Sequence, residues 1–433
     1  MSLHEASPGS ETKDQPQETS LGAAIDWLPP VRSTVEERRR IVTVSGIAVI
    51  AGLISAGIAE LLVALIAIIT NLAFYQRFSL SSISPADNQL GLLVVLVPVL
   101  GGLIVGAMAR FGSPAIRGHG IPEAMERILS NESRIAPRIT LLKPLSSAVA
   151  IGTGGPFGAE GPIIATGGAL GSLIGQLLAT TADERKVLLA AGAAAGMAAI
   201  FGSPVAAVLL AIELLLFEYR PRSLVPVALA VSAATSVRFA LHGSAPVFPM
   251  PEITQPDGAA LATYVVLGGI IGLIAVYVTR AVYAIEEAFE RLPIHWMWWP
   301  ALGGLAVGII GYFSPRTLGV GYDNIEAIVG GSLVGTALLL LVVFKLISWL
   351  IALGSGTSGG TLAPLFTIGG GLGSLAASAT LLAFPRSGID IHVAALVGMA
   401  AMFAGASRAL LTSVVFAFET TRQPMGLLPL LAG

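Results

Sequence analysis

The 433-residue sequence contains no cysteine, which excludes disulfides, thiolate catalysis and cysteine-based metal sites. Charge is scarce as well. Only 12% of residues are ionic, where soluble domains carry about 25%. So few ionic groups could not cover the surface of a water-soluble body of this size. Lysine plus arginine (24) nearly balance aspartate plus glutamate (26). There is no basic excess to neutralise phosphates, so a nucleic-acid binder is excluded. What is abundant is apolar: 54% hydrophobic residues and a mean hydropathy of +0.82. The solvent for such a chain is lipid.

Runs free of Asp, Glu, Lys and Arg occur at 41–59, 88–109, 161–182, 187–212, 259–279, 292–315 and 346–385. About 20 helical residues cross a bilayer, so most of these are of crossing length and the last suffices for two passes. Residues 41–76 hold one charge, Glu60, and read as a single long tilted helix. Residues 1–36 are instead polar, rich in Glu, Ser, Pro and Gln, and read as a disordered cytoplasmic tail with no cleavable signal peptide. The Arg38-Arg39-Arg40 cluster before the first span puts the N-terminus in the cytoplasm of a multi-pass inner (plasma) membrane protein. The last apolar segment reaches almost to Gly433, and no soluble C-terminal domain is expected.

The chain repeats itself. Pro98-Val-Leu-Gly-Gly-Leu-Ile-Val-Gly106 matches Pro300-Ala-Leu-Gly-Gly-Leu-Ala-Val-Gly308 at an offset of 202. The blocks starting at Gly158 and Gly360 match at the same offset, and so do Gly196-Met-Ala-Ala-Ile-Phe201 and Gly398-Met-Ala-Ala-Met-Phe403. Two halves are expected, about 37–240 and 257–433, forming one transmembrane domain over 37–433. Such duplication occurs in transporters, whose site lies at the repeat interface near the midplane. Whether the halves are parallel or inverted stays open at this point. Lys143 and Lys345 are also 202 apart, each 17 residues before an equivalent position, Glu160 or Leu362. An intramembrane lysine costs about 2.5–3.5 kcal/mol, and positive charge in both halves suits an anion path.

Gly154-Gly-Pro-Phe-Gly-Ala-Glu-Gly-Pro162 is built to turn inside the membrane and open a helix. The turn beyond it offers free N–H groups and the positive end of a helix dipole. A broken helix of this kind is tolerated in a bilayer only where it lines a polar cavity. Gly356-Thr-Ser-Gly-Gly-Thr-Leu-Ala-Pro364 does the same from the other half, and Gly118-His-Gly-Ile-Pro122 offers a third terminus. Three N-termini aimed at one point would hold a small desolvated anion without a full positive charge.

With these loops the chain resembles the CLC family of chloride channels and chloride/proton antiporters, of the bacterial form without C-terminal CBS domains. The family hallmarks are a Gly-Ser-Gly-Ile-Pro loop, a Gly-(Arg/Lys)-Glu-Gly-Pro loop and a Gly-Gly-X-Phe-X-Pro loop. Here they stand as Gly118-His-Gly-Ile-Pro122, Gly158-Ala-Glu-Gly-Pro162 and Gly359-Gly-Thr-Leu-Ala-Pro364, in the same order. The resemblance implies an all-α polytopic membrane protein with an inverted repeat of broken and tilted helices, forming homodimers with one pore per subunit. It implies that Glu160 is the gate. The anion would be held by His119, Gly120, Ile121, Ala159, Glu160, Gly161, Thr361 and Leu362, with Lys143 and Lys345 as pathway charges. Chloride or a similar small anion, protons and the lipid bilayer are the implied partners. Neither a cofactor nor a metal is called for.

Three departures from the family pattern bear on function. His119 replaces a serine whose hydroxyl contacts the anion. A neutral imidazole donates one N–H and an imidazolium adds charge, so tighter anion binding or altered gating in acid is expected. Leu214 stands where coupled antiporters carry an internal proton-transfer glutamate, leaving Glu213, one residue off that face, as the candidate proton path. Pro424 aligns with an anion-contacting tyrosine and offers no hydroxyl. Passive or weakly proton-coupled conduction is therefore the expected function, with strict chloride/proton antiport, or a fluoride or nitrate preference, as the alternative. An intramembrane hydrolase using Ser355 or Ser358 with His119 is a remote alternative, because no acid is on hand to orient the histidine; the protein is not expected to be an enzyme. Dimer contacts are expected at 204–217, 224–238 and 410–419.

Overall fold

A computed structural model describes residues 35–118, 125, 133–178 and 180–433. The expected tail, up to residue 34, and the site residues His119, Gly120 and Ile121 lie outside the described residues. The first half supplies α1 (Val35–Tyr75), α2 (Leu96–Ala107), α3 (Pro137–Gly152), α4 (Glu160–Leu177), α5 (Ala182–Phe201), α6 (Pro204–Leu210) and α7 (Pro221–His242). The second supplies α8 (Gly258–Glu290), α9 (Trp299–Phe313), α10 (Tyr322–Val329), α11 (Gly335–Gly354), α12 (Leu362–Ala383), α13 (Ile391–Ser407), α14 (Leu410–Thr421) and α15 (Leu427–Ala432). Seven helical segments among the described residues are long and apolar enough to cross a membrane. The 346–385 run does resolve into two helices, the second half of α11 and all of α12. Thr43–Gly433 forms one unit; of the unit Met1–Val42 only the opening turns of α1 are described.

Local chemistry sets the helix boundaries. Thr181 and Glu184 form a capping box at the start of α5, each side chain accepting the other's backbone N–H. Asp257 caps α8 through the Ala260 amide, and Asp390 caps α13 through the amides of His392 and Val393. Both α5 and α13 end on a left-handed residue, Gly202 and Arg408. From Val187 to Phe201 every residue of α5 is buried. A helix apolar all round belongs in the interior, and its alanines and glycines let neighbours approach to backbone contact, the usual glue between helices in lipid. A methyl on Gly167 would lie 2.2 Å from the Gly192 carbonyl oxygen, and one on Gly369 would lie 2.4 Å from that of Gly398.

That pairing corrects the third repeat block. Gly192, not Gly196, is the structural counterpart of Gly398, an offset of 206, and the helix ends at Gly202 and Arg408 share it. The second half carries extra residues between α12 and α13 (384–390 against 178–181). A four-residue slip is about one helical turn and keeps the same face, so Gly196 imitated the match; it packs on Ile163 instead.

The halves are inverted. α2 and α9 cross at reciprocal glycines, where a methyl on Gly102 would strike the Pro300 carbonyl and one on Gly304 the Pro98 carbonyl. Contacts of i with j and j with i mark a two-fold axis. The equivalent helices α6 and α14 run antiparallel, because each reaches the other's N-terminus with a carboxylate near its own far end. Glu419 accepts from the amides of Val205 (3.1 Å) and Ala206 (2.8 Å). Glu213, in the π-helical turn Ala211–Leu216 that continues α6, accepts from the amides of Leu411 (3.0 Å) and Thr412 (2.8 Å) and from the Thr412 hydroxyl.

Candidate functional site

Two broken helices meet at the centre. α3 ends at Gly152 and α4 begins at Glu160; α11 ends at Gly354 and α12 begins at Leu362. The intervening segments pair through one antiparallel bridge, in which Gly158 and Gly360 exchange both backbone hydrogen bonds (3.1 and 3.0 Å). This is the sole β-pairing among the described residues. It satisfies backbone groups that neither helix can serve, as a lipid-embedded break requires. It also brings the N-termini of α4 and α12 side by side.

Glu160 is fully buried. Its Oε1 accepts the Ala363 amide of α12 at 2.7 Å, and its Oε2 accepts the Tyr322 hydroxyl at 3.1 Å. Its own amide and that of Leu362 also face the carboxyl group. The side chain folds back over Gly158, where a methyl group would lie 1.9 Å from Oε1. A carboxylate at a helix N-terminus is where the dipole favours negative charge. It is also where an external anion would bind, so an anion arriving there would meet donors the carboxylate already uses.

The expected site residues sort as follows. Ala159, Glu160, Gly161 and Leu362 are buried and gathered at this junction, with Thr361 half-buried at the cap of α12. The α12 amide that bonds Glu160 Oε1 is that of Ala363, one residue beyond the expected pair Thr361 and Leu362. Lys143 and Lys345 are buried, and their ammonium groups turn onto loop carbonyls. Lys143 donates to Ile116 (2.9 Å) and Gly118 (3.2 Å); Lys345 donates to Thr317 and Gly319 (3.0 Å each). Leu214 is buried, and both oxygens of Glu213 cap α14. Pro424 is exposed and opens a 3₁₀ turn ahead of α15, outside the junction, so it does not stand in for a site hydroxyl. Ser358 is engaged with Ser147 (2.8 Å), and Ser355 with the Ala352 carbonyl and Thr357. Glu60 pairs with His242 at 2.8 Å.

Tyr322 escaped the sequence reading, although a signal was there. The lysine-pinned loops are counterparts at an offset of 201, so Gly319-Val-Gly321-Tyr322 is the second-half copy of Gly118-His-Gly120-Ile121. Its half-buried ring packs edge-on against Phe201 (5.7 Å) and Phe248 (6.2 Å), and Phe201 in turn meets Phe416 at 4.7 Å.

Comparison with known proteins agrees with this architecture. The family described as voltage gated chloride channel matches residues 101–433. Chloride channel protein CLC-f of Arabidopsis thaliana is 32% identical over 365 residues; the match covers 78% of this chain but only 46% of the plant protein. The H(+)/Cl(-) exchange transporter ClcA of Vibrio campbellii is 32% identical over 349 residues, covering 76% of this chain and 73% of the relative. Among solved structures, a slow cyanobacterial Cl-/H+ antiporter superposes with a TM-score of 0.77 at 25% identity, covering 89% of this chain and 92% of that one. A CLC-type fluoride/proton antiporter shares the fold with a TM-score of 0.77 at 18% identity, covering 92% of this chain and 95% of that one.

Proposed function

The chain belongs to the voltage-gated chloride channel family, and from that premise we propose that it exchanges chloride, or a similar small anion, for protons across a membrane, with Glu160 as both gate and proton carrier. One observation carries the reading: the Glu160 carboxylate sits on the N-terminus of α12, enclosed from solvent, on donors an anion would need. An ionised carboxylate there excludes the anion. Protonation removes the charge that holds it, the side chain leaves, and the anion takes the amides. One group thus answers to both substrates, which is the condition for linking their fluxes. Relatives named as H(+)/Cl(-) exchangers favour this coupled form over passive conduction.

Uncoupled conduction is the second reading. It is favoured by Leu214, which cannot relay a proton, and by Glu213, whose oxygens are committed to α14. The reversal potential of reconstituted liposomes under crossed chloride and pH gradients separates the two. A potential that moves with the pH gradient supports exchange, and one that follows chloride alone supports conduction. A homodimer in an inner (plasma) membrane, with the N-terminus in the cytoplasm, completes the proposal. It is supported by Arg38-Arg39-Arg40 and by the apolar side chains Val205, Val225, Leu229 and Leu410 exposed within the expected contact segments.

A further inference from the structure

We propose that Tyr322 is a latch for the gate: its hydroxyl favours the ionised Glu160 carboxylate over a monatomic anion at the N-terminus of α12, and so sets the anion concentration and acidity at which the site opens. The proposal rests on the reading of Glu160 as the gate. The α12 amides serve a carboxylate and a halide alike, so they do not discriminate between them. A carboxylate has two oxygens, one on the Ala363 amide and the other on Tyr322. A single-atom ligand on the Ala363 amide leaves the second position empty. The tyrosine hydroxyl therefore adds a charge-assisted hydrogen bond that only the gate collects.

The latch is held from two sides. Phe201 and Phe248 pack edge-on against the ring. Behind it, Lys345 pins the Thr317 and Gly319 carbonyls, Asn324 donates to the Arg316 carbonyl, and the left-handed Gly321 turns the chain into α10. The charged groups that bear on this arrangement are Glu160 of α4, Arg238 of α7, Lys345 of α11 and Asp323 of α10. Arg238 has no hydrogen bond or ion pair among the described residues, and its charge is felt by both Tyr322 and Glu60. Tyr322 thus acts through Glu160, as a positioning residue.

The test is Tyr322→Phe, which keeps the ring and its packing, made in the wild-type and Glu160→Gln backgrounds and assayed as anion flux into liposomes. A hydrogen bond to a charged group contributes about one order of magnitude. Tyr322→Phe is therefore expected to lower the KM for chloride about tenfold, with a smaller change in maximal flux. The midpoint of the pH–flux profile moves about one unit toward higher pH. In the Glu160→Gln background the same substitution has no effect. Unchanged KM and pH midpoint in Tyr322→Phe, with Glu160→Gln altering both, overturn the latch and leave the gate standing. Equal effects in the two backgrounds overturn action through Glu160. If Glu160→Gln itself leaves coupling and pH dependence intact, the gate reading fails and the latch falls with it.

Discussion

The two halves share one skeleton and place opposite chemistry at the same point. Position 160 opens α4 with a carboxylate, whereas its counterpart 362 opens α12 with leucine and bare amides. Lys143 and Lys345 each pin a glycine loop, yet only the second loop is seen to end in a hydroxyl aimed at the junction. Glu213 and Glu419 each cap the other half's helix. Symmetry is kept where it holds the frame together and broken at the proposed gate. A duplicated scaffold can bring two helix termini together, but function needs one acceptor among donors.

The comparison is most sharply broken at Glu160. Glu160→Gln removes the carboxylate that position 362 lacks, and proton coupling measured by reversal potential is expected to vanish, leaving flux flat with pH. Next are the lysines. Lys143→Met and Lys345→Met each orphan two loop carbonyls and should cost about 2 kcal/mol in denaturant unfolding of the solubilised protein. Only Lys345→Met should also shift the pH–flux profile, because its loop carries Tyr322.

Gly158→Ala sets a methyl where the Glu160 carboxylate folds back. Its backbone is free of left-handed strain, so the side chain rather than the loop should yield, raising apparent chloride affinity about tenfold if roughly one charge-assisted hydrogen bond is lost. The smallest effect is expected at the caps. Glu213→Gln and Glu419→Gln should each lower unfolding stability by about 1 kcal/mol, and the two losses should be equal. Coupling unchanged in Glu213→Gln identifies a cap; coupling lost in that variant identifies a proton relay.

Much of this was legible in the chain. Charge-free runs announced the spans because lipid tolerates few ionic groups. Glycine and proline at 154–162 and 356–364 announced the broken helices, since little else turns a backbone in a bilayer. The lysines are legible in the sequence but their hydrogen-bond partners are not: a buried ammonium reads the same whether it faces an anion or a carbonyl. Pro424 misled, because matching a single residue across a variable segment carries no spatial information. Tyr322 was hidden because its loop shares only two glycines with Gly118-His-Gly120, and the offset there is 201 rather than 202.

What the sequence determined by itself is the solvent, the duplication and the points where helices must break, all of which follow from the cost of exposing charge or unpaired backbone to lipid. The tertiary structure alone decided that the halves are inverted, that α5 and α13 are counterparts four residues out of the apparent register, and that Glu160 meets Ala363 and Tyr322. Those outcomes depend on contacts between residues from 25 positions apart (Gly167 and Gly192) to 214 apart (Val205 and Glu419), and local chemistry carries no information about which distant surfaces will meet.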